Sequence, residues 1–302
     1  MPAKQPGRRG QPGRASRSRR SQKGRGPKRA ALATLALALL VSGVVYLTAR
    51  HTLPVPGTSQ CAARGDGTIV SLEVSQASIA ATIAGVAQRQ GLPDRAVTIA
   101  YAAAMQESKL TDLDYGDQDS VGIFQQRPSE GWGPARLLEN PVYASTKFFA
   151  ALARVPGYAR MPVYEAAQAV QHSADGSAYG QFAQMGASMA VAFTGNAPHA
   201  VWCSYASSVG PSRLAAADRA LTAAFGPLAV HRAGDPALAI TVPGTAAGWA
   251  VAAWLVSHAS SYGIRDVRYQ GYQWTAADGA SGWVVPRGAS RAPAPDGSVE
   301  MG

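Results

Sequence analysis

Cysteine is scarce in this chain, which has only Cys61 and Cys203 among its 302 residues. Two cysteines exclude a scaffold held by many disulfides and a zinc site built from several thiolates. They can form one bridge in an oxidising compartment or stay as two buried thiols in a reducing one. We expect the Cys61–Cys203 disulfide, because the N-terminal segments described below predict export.

Several catalytic motifs are missing as well. The sequence has no His-Glu-x-x-His, no Cys-x-x-Cys, no Gly-x-Ser-x-Gly and no phosphate-binding glycine loop. These absences argue against a zinc protease, a hydrolase with a nucleophile elbow and a nucleotide-binding enzyme. We therefore expect neither a cofactor nor a metal. The histidines are scattered along the chain, at His51, His172, His199, His231 and His258.

Acidic residues are missing from the first thirty positions, although the whole chain has a formal net charge of +10. That segment holds eleven of the 28 basic residues, so the rest of the chain is nearly neutral. A nearly neutral remainder argues against a basic nucleic-acid-binding domain, and a hydrophobic fraction of 47% excludes disorder throughout. The basic residues of the tail are Lys4, Arg8, Arg9, Arg14, Arg17, Arg19, Arg20, Lys23, Arg25, Lys28 and Arg29.

An uncharged apolar run follows the basic tail. Residues 30–49 would form a helix about 30 Å long, which matches the hydrocarbon core of a membrane. Because positive charge stays on the cytoplasmic side, we predict a disordered cytoplasmic tail over 1–29 and extracytoplasmic domains after the helix. A cleaved signal peptide is the alternative. The tail is expected to bind anionic lipid, with cytoplasmic nucleic acid as the less favoured rival.

The remainder divides into segments of different composition. Residues 50–74 are interpreted as a linker, and 75–205 as a mostly helical domain with an irregular loop over 109–139. A loop of that length in a compact domain is usually functional. Residues 206–288 predict a small α+β module, and 289–302 a disordered tail. The module has no convincing acid, base or metal set, and we expect an accessory or wall-binding role.

Glu107 is the first candidate for chemistry. It ends a predicted helix over 94–108 and lies at the edge of the apolar stripe between Val97 and Ala104. The C-terminal end of a helix and partial burial both favour the neutral form of a carboxyl group. A glycosidase general acid must be protonated near neutral pH. A frayed surface glutamate is the alternative interpretation.

Three segments carry a family resemblance. Residues 106–108 are Gln-Glu-Ser, residues 120–126 are Ser-Val-Gly-Ile-Phe-Gln-Gln, and residues 169–173 are Ala-Val-Gln-His-Ser. The pattern resembles the lysozyme-like lytic transglycosylases, the group of soluble lytic transglycosylases and goose-type lysozymes. In that group a Glu-Ser pair is followed by a Ser-x-Gly-[Leu/Ile]-x-Gln turn. The version here is similar to exported proteins of high-GC Gram-positive bacteria (actinobacteria), and it departs from the group at Gln171, where Asn is usual.

The resemblance implies a fold and a reaction. The fold class is a mainly α lysozyme-like domain over 75–205, after one transmembrane helix and before a small α+β module. Glu107 would protonate the glycosidic oxygen of peptidoglycan and then deprotonate the muramoyl 6-hydroxyl, which yields a 1,6-anhydro sugar. Trp132 and Tyr143 offer aromatic faces to a sugar but could equally be core residues. The expected substrate-binding residues are Ser108, Gly122, Gln125, Gln126, Trp132, Tyr143 and Gln171.

Two alternatives stay open at this point. An inverting hydrolase would need a second carboxylate about 6.5–9.5 Å from the first. Asp117 and Asp119 are the named candidates, in an acidic loop that also holds Asp112 and Asp114 and that could simply be solvated. The other alternative is a non-catalytic protein that binds peptidoglycan as a scaffold in a cell-wall, secretion or conjugation assembly. Protein partners are not predicted.

Overall fold

The computed structural model describes residues 58–173, 176–234, 236–286 and 297–302. The predicted basic tail (1–29) and the predicted transmembrane helix (30–49) lie outside these residues. In the part of the chain that is described, no helix is long and apolar enough to cross a membrane. The described residues belong to one compact unit.

The helices before residue 200 largely follow the expected pattern. The two longest, α1 and α2, are rich in alanine, and their small side chains are buried against neighbouring helices. Asn140 caps α4, because its Oδ1 accepts a hydrogen bond from the Val142 amide at 2.9 Å. The helices are α1 (Val74–Arg89), α2 (Asp94–Glu107), the short α3 (Ala135–Leu138), α4 (Pro141–Leu152), α5 (Val163–Gln171) and α6 (Ala183–Phe193).

The expected fold class is wrong, because the structure is not a mainly α domain followed by an α+β module. It contains two antiparallel sheets, and the first lies partly in the segment interpreted as a linker. Its strands are β1 (Gln60–Gly65), β2 (Thr68–Glu73) and β3 (Val201–Ser204), in the order β2-β1-β3. Short alanine-containing strands such as β1 do not show the alternation that identifies a half-buried strand, which is why the sequence suggested a linker.

The disulfide prediction is confirmed. Cys61 on β1 lies directly opposite Cys203 on β3, and the two are bonded. Both side chains are buried, so the bridge lies on the face of the sheet that packs into the core. The opposite face carries Arg64 and Trp202.

A second sheet follows, in the order β4-β5-β8-β6-β7. Residues 298–301, which we had expected in a disordered tail, form its central strand. There Arg268 donates a hydrogen bond to the Glu300 carboxylate at 2.5 Å, and both side chains are buried. The elements of this part are α7 (Leu214–Phe225), β4 (Ala229–Arg232), β5 (Leu238–Thr241), α8 (Thr245–Ser257), α9 (Ala259–Tyr262), β6 (Asp266–Tyr269), β7 (Tyr272–Thr275) and β8 (Ser298–Met301).

Helix α8 joins the two parts of the core. It is apolar on all sides, and it packs against α1, α6, β3 and the second sheet. The fit is close, because a Cβ added to Gly195 would lie 2.0 Å from the Ala246 carbonyl oxygen. The hydrophobic core is therefore continuous from α1 to β8. Near the end of the predicted α+β module, Val284 forms only an isolated bridge with Gln273.

Candidate active site

Glu107 is the last residue of α2 and is half-buried. The residue after it, Ser108, is buried and fixes the helix end. Its hydroxyl donates a hydrogen bond to the Ile123 carbonyl oxygen at 2.8 Å, and its amide bonds back to Ala104. Ser108 therefore ties the end of α2 to the segment 120–126, and this brings Glu107 beside that segment.

Segment 120–126 is a tight turn closed by mutual backbone hydrogen bonds between Val121 and Gln126. Gly122 has a φ of 75°, and a Cβ there would lie 2.3 Å from the Leu138 carbonyl oxygen, so the turn requires glycine. Phe124 is buried and stacks on Phe148, with ring centroids 4.4 Å apart. Because its apolar residues are buried in the core, the turn holds its polar residues in fixed positions.

A cleft of about 340 Å³ opens beside Glu107. It brings together six of the residues that the sequence predicted, including the possible second carboxylate Asp117. Ser108, Gly122, Tyr143 and Asp119 are not among its lining residues. The cleft is lined by Glu107, Asp117, Ser120, Gln125, Gln126, Arg127, Glu130, Trp132, Gln171, His172 and Ser173.

The closest partner of Glu107 is Tyr179, which sequence reasoning missed. Its hydroxyl donates a hydrogen bond to Oε1 of Glu107 at 2.5 Å, and its ring is fully buried. Burial, followed by the bond to Glu107, raises the pKa of Tyr179 well above its ordinary value, so the phenol stays protonated and remains a donor. Oε2 of Glu107 has no hydrogen-bond partner among the described residues. A buried tyrosine in a small-residue segment gives no sequence signal of this role.

Two glutamines line the cleft, and of these Gln126 is buried and Gln171 is half-buried. The Gln171 side chain donates to the Phe124 carbonyl oxygen at 2.7 Å, and the Gln126 side chain donates to the Ala144 carbonyl oxygen at 3.4 Å. Within the described ranges, Oε1 of each glutamine is buried without a hydrogen-bond partner. A buried acceptor without a partner is costly, so these two oxygens are unsatisfied groups in the wall of the cleft.

Gln125 has a different role. It adopts a positive φ of 47°, and its side-chain amide donates to the Tyr115 carbonyl oxygen at 3.2 Å and to the Gly122 carbonyl oxygen at 3.3 Å. Its Oε1 lies so close to Gly116 that a Cβ there would be 1.9 Å away. Gln125 therefore holds the acidic loop against the turn and also lines the cleft.

The two candidate second carboxylates are in different situations. Asp119 is held by Ser129, whose amide and hydroxyl donate to it at 2.7 and 2.8 Å, and by Arg127 at 3.1 Å. These hydrogen bonds, with those from Ser129 the largest cause, lower the pKa of Asp119. Asp117 is exposed and lines the cleft. Of the four aspartates in the acidic loop, Asp117 is the one that lines the cleft together with Glu107.

Arg127 was also missed by sequence reasoning. It lines the cleft while pairing with Asp119 and with Glu130, the latter at 2.7 Å. Its signal was present, since it directly follows Gln126 in the motif. Tyr143, by contrast, packs against Gly133, and the Lys147 ammonium lies over its ring at 5.3 Å.

No group of three or more His, Cys, Asp or Glu side chains in the described residues could hold a metal ion. Comparison with known proteins found no family model that matches the chain and no curated protein that matches it.

Proposed function

We propose that this protein cleaves the glycan strands of peptidoglycan, as a lytic transglycosylase with Glu107 as the acid and base. The observation that carries the proposal is the placement of Glu107 in the cleft, with Oε1 held by Tyr179 and Oε2 without a hydrogen-bond partner among the described residues. The resemblance of residues 106–108 and 120–126 to that enzyme group supports the same assignment.

The proposed reaction needs one carboxyl group. Protonated Glu107 gives its proton to the glycosidic oxygen, so the bond to C1 of the muramoyl residue breaks. The carboxylate then takes the proton of the muramoyl 6-hydroxyl as that oxygen attacks C1 and closes the 1,6-anhydro ring. The amide side chains of Gln126 and Gln171 line the cleft and are of a type that hydrogen-bonds an N-acetylated sugar.

Hydrolysis is the second candidate, and the position of Asp117 favours it specifically. An inverting hydrolase would use Asp117 to activate water while Glu107 protonates the leaving group. The two mechanisms give different products, because only the transglycosylase makes an anhydro sugar.

The test is digestion of purified peptidoglycan by the full-length protein, followed by mass spectrometry of the soluble products. We expect anhydro-muropeptides from the wild type and from Asp117→Asn, and a loss of at least about 100-fold in Glu107→Gln, as is typical for removal of a general acid. Reducing-end products that vanish in Asp117→Asn would select the hydrolase. No release by the wild type, together with binding to insoluble peptidoglycan, would select the scaffold.

The proposed location is the extracytoplasmic side of the cell membrane, with a cytoplasmic N-terminus. The Cys61–Cys203 disulfide supports an oxidising environment for the described part. Contact of the basic tail with anionic lipid stays a proposal of the same kind.

A further inference from the structure

A second pocket lies on the face of the first sheet that points away from the disulfide. Its volume is about 210 Å³, and it lies between that sheet and the short helix Ala276–Ser281. Gly282 closes one side, where a Cβ would lie 3.7 Å from the Trp202 ring. The lining residues are Arg64, His199, Trp202, Ala280, Ser281, Gly282 and Trp283.

Arg64 supplies a permanent positive charge to this pocket. Its guanidinium carbon lies 5.1 Å from the centre of the Trp202 ring, so the planar group is held over the indole. No carboxylate among the described residues lies within ion-pair distance of Arg64, and no side-chain hydrogen bond fixes it. A guanidinium over an indole ring can still offer its N–H groups for two parallel bonds to a planar anion.

Three of the other lining residues are aromatic, namely His199, Trp202 and Trp283. His199 contacts Tyr272 and Trp249, with ring centroids 4.7 and 5.5 Å away, and Trp283 contacts Trp249 at 5.1 Å. Desolvation and the Arg64 guanidinium lower the pKa of His199, so its imidazole is neutral at pH 7. His199 also has a φ of 44°, a strained conformation for a residue with a side chain. Strained residues and partly exposed aromatic clusters are typical of ligand sites.

From these contacts we infer that the pocket binds the free α-carboxylate end of a short peptide. The carboxylate would pair with Arg64, and the small side chains of the last residues would lie on Trp202 and Trp283. A volume of about 210 Å³ is below that of pockets for drug-sized ligands, so it suits one or two small residues. The identity of the peptide rests on the proposed function: it is the stem peptide of the same peptidoglycan, which ends in D-alanine.

The test is calorimetric titration of the full-length protein with acetyl-D-Ala-D-Ala. We expect binding that weakens at least about tenfold when the ligand's carboxylate is amidated, and at least about tenfold in Arg64→Met, which keeps an unbranched stem against Trp202. Trp202→Leu tests whether the Trp202 ring under the Arg64 guanidinium is needed for binding. Arg219→Met, an exposed arginine of α7, is the matched control and should bind as the wild type does.

Each other outcome has a stated meaning. Equal binding of the amidated dipeptide, or unchanged binding by Arg64→Met, would overturn the carboxylate site. Competition by inorganic phosphate as strong as by the dipeptide would reduce it to a general anion site and would also overturn it. Binding of acetyl-L-Ala-L-Ala tenfold tighter than the D,D form would point to a protein terminus and would overturn the stem-peptide assignment.

This test is separable from that of the proposed function. Glu107→Gln should bind the dipeptide normally, because the cleft does not share a lining residue with this pocket. If digestion fails while the dipeptide binds, only the enzymatic proposal falls. If digestion succeeds while the dipeptide does not bind, only the present inference falls.

Discussion

At the scale of single residues, the candidate site is defined by what holds Glu107 rather than by Glu107 alone. Tyr179 fixes one carboxyl oxygen, and Ser108 fixes the helix end that carries it. Neither contact could be predicted from the sequence. Tyr179 is 72 positions from Glu107, and the structural role of Ser108 could not be inferred from its place in the motif. The sequence suggested Glu107 as the candidate acid, and the structure shows which residues hold it in place.

The role of Tyr179 can be tested with Tyr179→Phe. The ring stays, but the hydrogen bond to Glu107 is lost, so we expect peptidoglycan cleavage to fall about 10- to 100-fold, mostly in kcat. The free energy of unfolding should change by only about 1 kcal/mol. Tyr205→Phe is the matched control, since its hydroxyl donates to the Val256 carbonyl oxygen at 2.7 Å outside the cleft. Equal activity losses in both variants would mean that Tyr179 acts through stability alone.

A half-buried histidine, His258, should make stability depend on pH. Burial lowers the pKa of His258 to about 4, despite the opposing hydrogen bond to the Trp254 carbonyl oxygen, and its ring stacks on Trp254 at 3.8 Å. Below pH 6.5 His258 becomes protonated in the unfolded chain, whereas in the folded protein it stays neutral down to about pH 4. Stability contributed by the neutral imidazole is therefore lost as the pH falls through this window, by at most about 3 kcal/mol.

The measurement is urea unfolding at pH 7.5 and pH 4.5 for the wild type and His258→Phe. Phenylalanine keeps the stacking and cannot be protonated, so the variant should lose less stability on acidification than the wild type. An identical loss in the two proteins would contradict this account of His258.

At the scale of elements, the sequence predicted helices well and strands poorly. The ends of α4 and α7 were readable, because Asn140 caps one and Gly226 follows the other. Strands β1, β2, β3, β4 and β8 were missed; β3 and β8 are short and pair with strands far along the chain. The turn at 120–126 was expected from its motif, but its dependence on Gly122 and Leu138 could not be known before the fold was seen.

Glycine at position 122 is a test of that turn. Both Gly122 and Gly131 have positive φ values, but an added Cβ at Gly131 meets no atom within 4 Å. Gly131→Ala should therefore cost only the backbone term of about 1–2 kcal/mol. Gly122→Ala adds the clash with the Leu138 carbonyl oxygen and should cost about 1–3 kcal/mol more. Urea unfolding measures both, and equal costs would show that the turn relaxes without strain.

At the scale of the whole molecule, the first sheet lies between two sites. Its inner face carries the disulfide and joins the core that supports α2 and the cleft, while its outer face carries the aromatic pocket. The continuous core through α8 makes both sites parts of one packed body. This organisation could not be predicted from composition, which changes at residue 206 although the core does not.

The contribution of the disulfide can be measured directly. The bridge closes a sequence separation of 142 residues, for which the chain-entropy model gives a stabilisation of about 5 kcal/mol. The double variant Cys61→Ala and Cys203→Ala should lose up to this amount in urea unfolding and should not respond to a reductant. The wild type with reductant is the control and should match the variant. Unchanged stability in the variant would mean that the pairing of β1 with β3 holds residues 61 and 203 together without the disulfide.

The same bridge also determines how mechanical tension would pass through the protein. A pull between residue 58 and residue 302 reaches Cys61, crosses directly to Cys203, and continues into the second sheet. The segment between the two cysteines, which carries Glu107 and Tyr179, lies off this covalent path. A load along the chain would therefore act on the elements after Cys203 before it acts on the cleft.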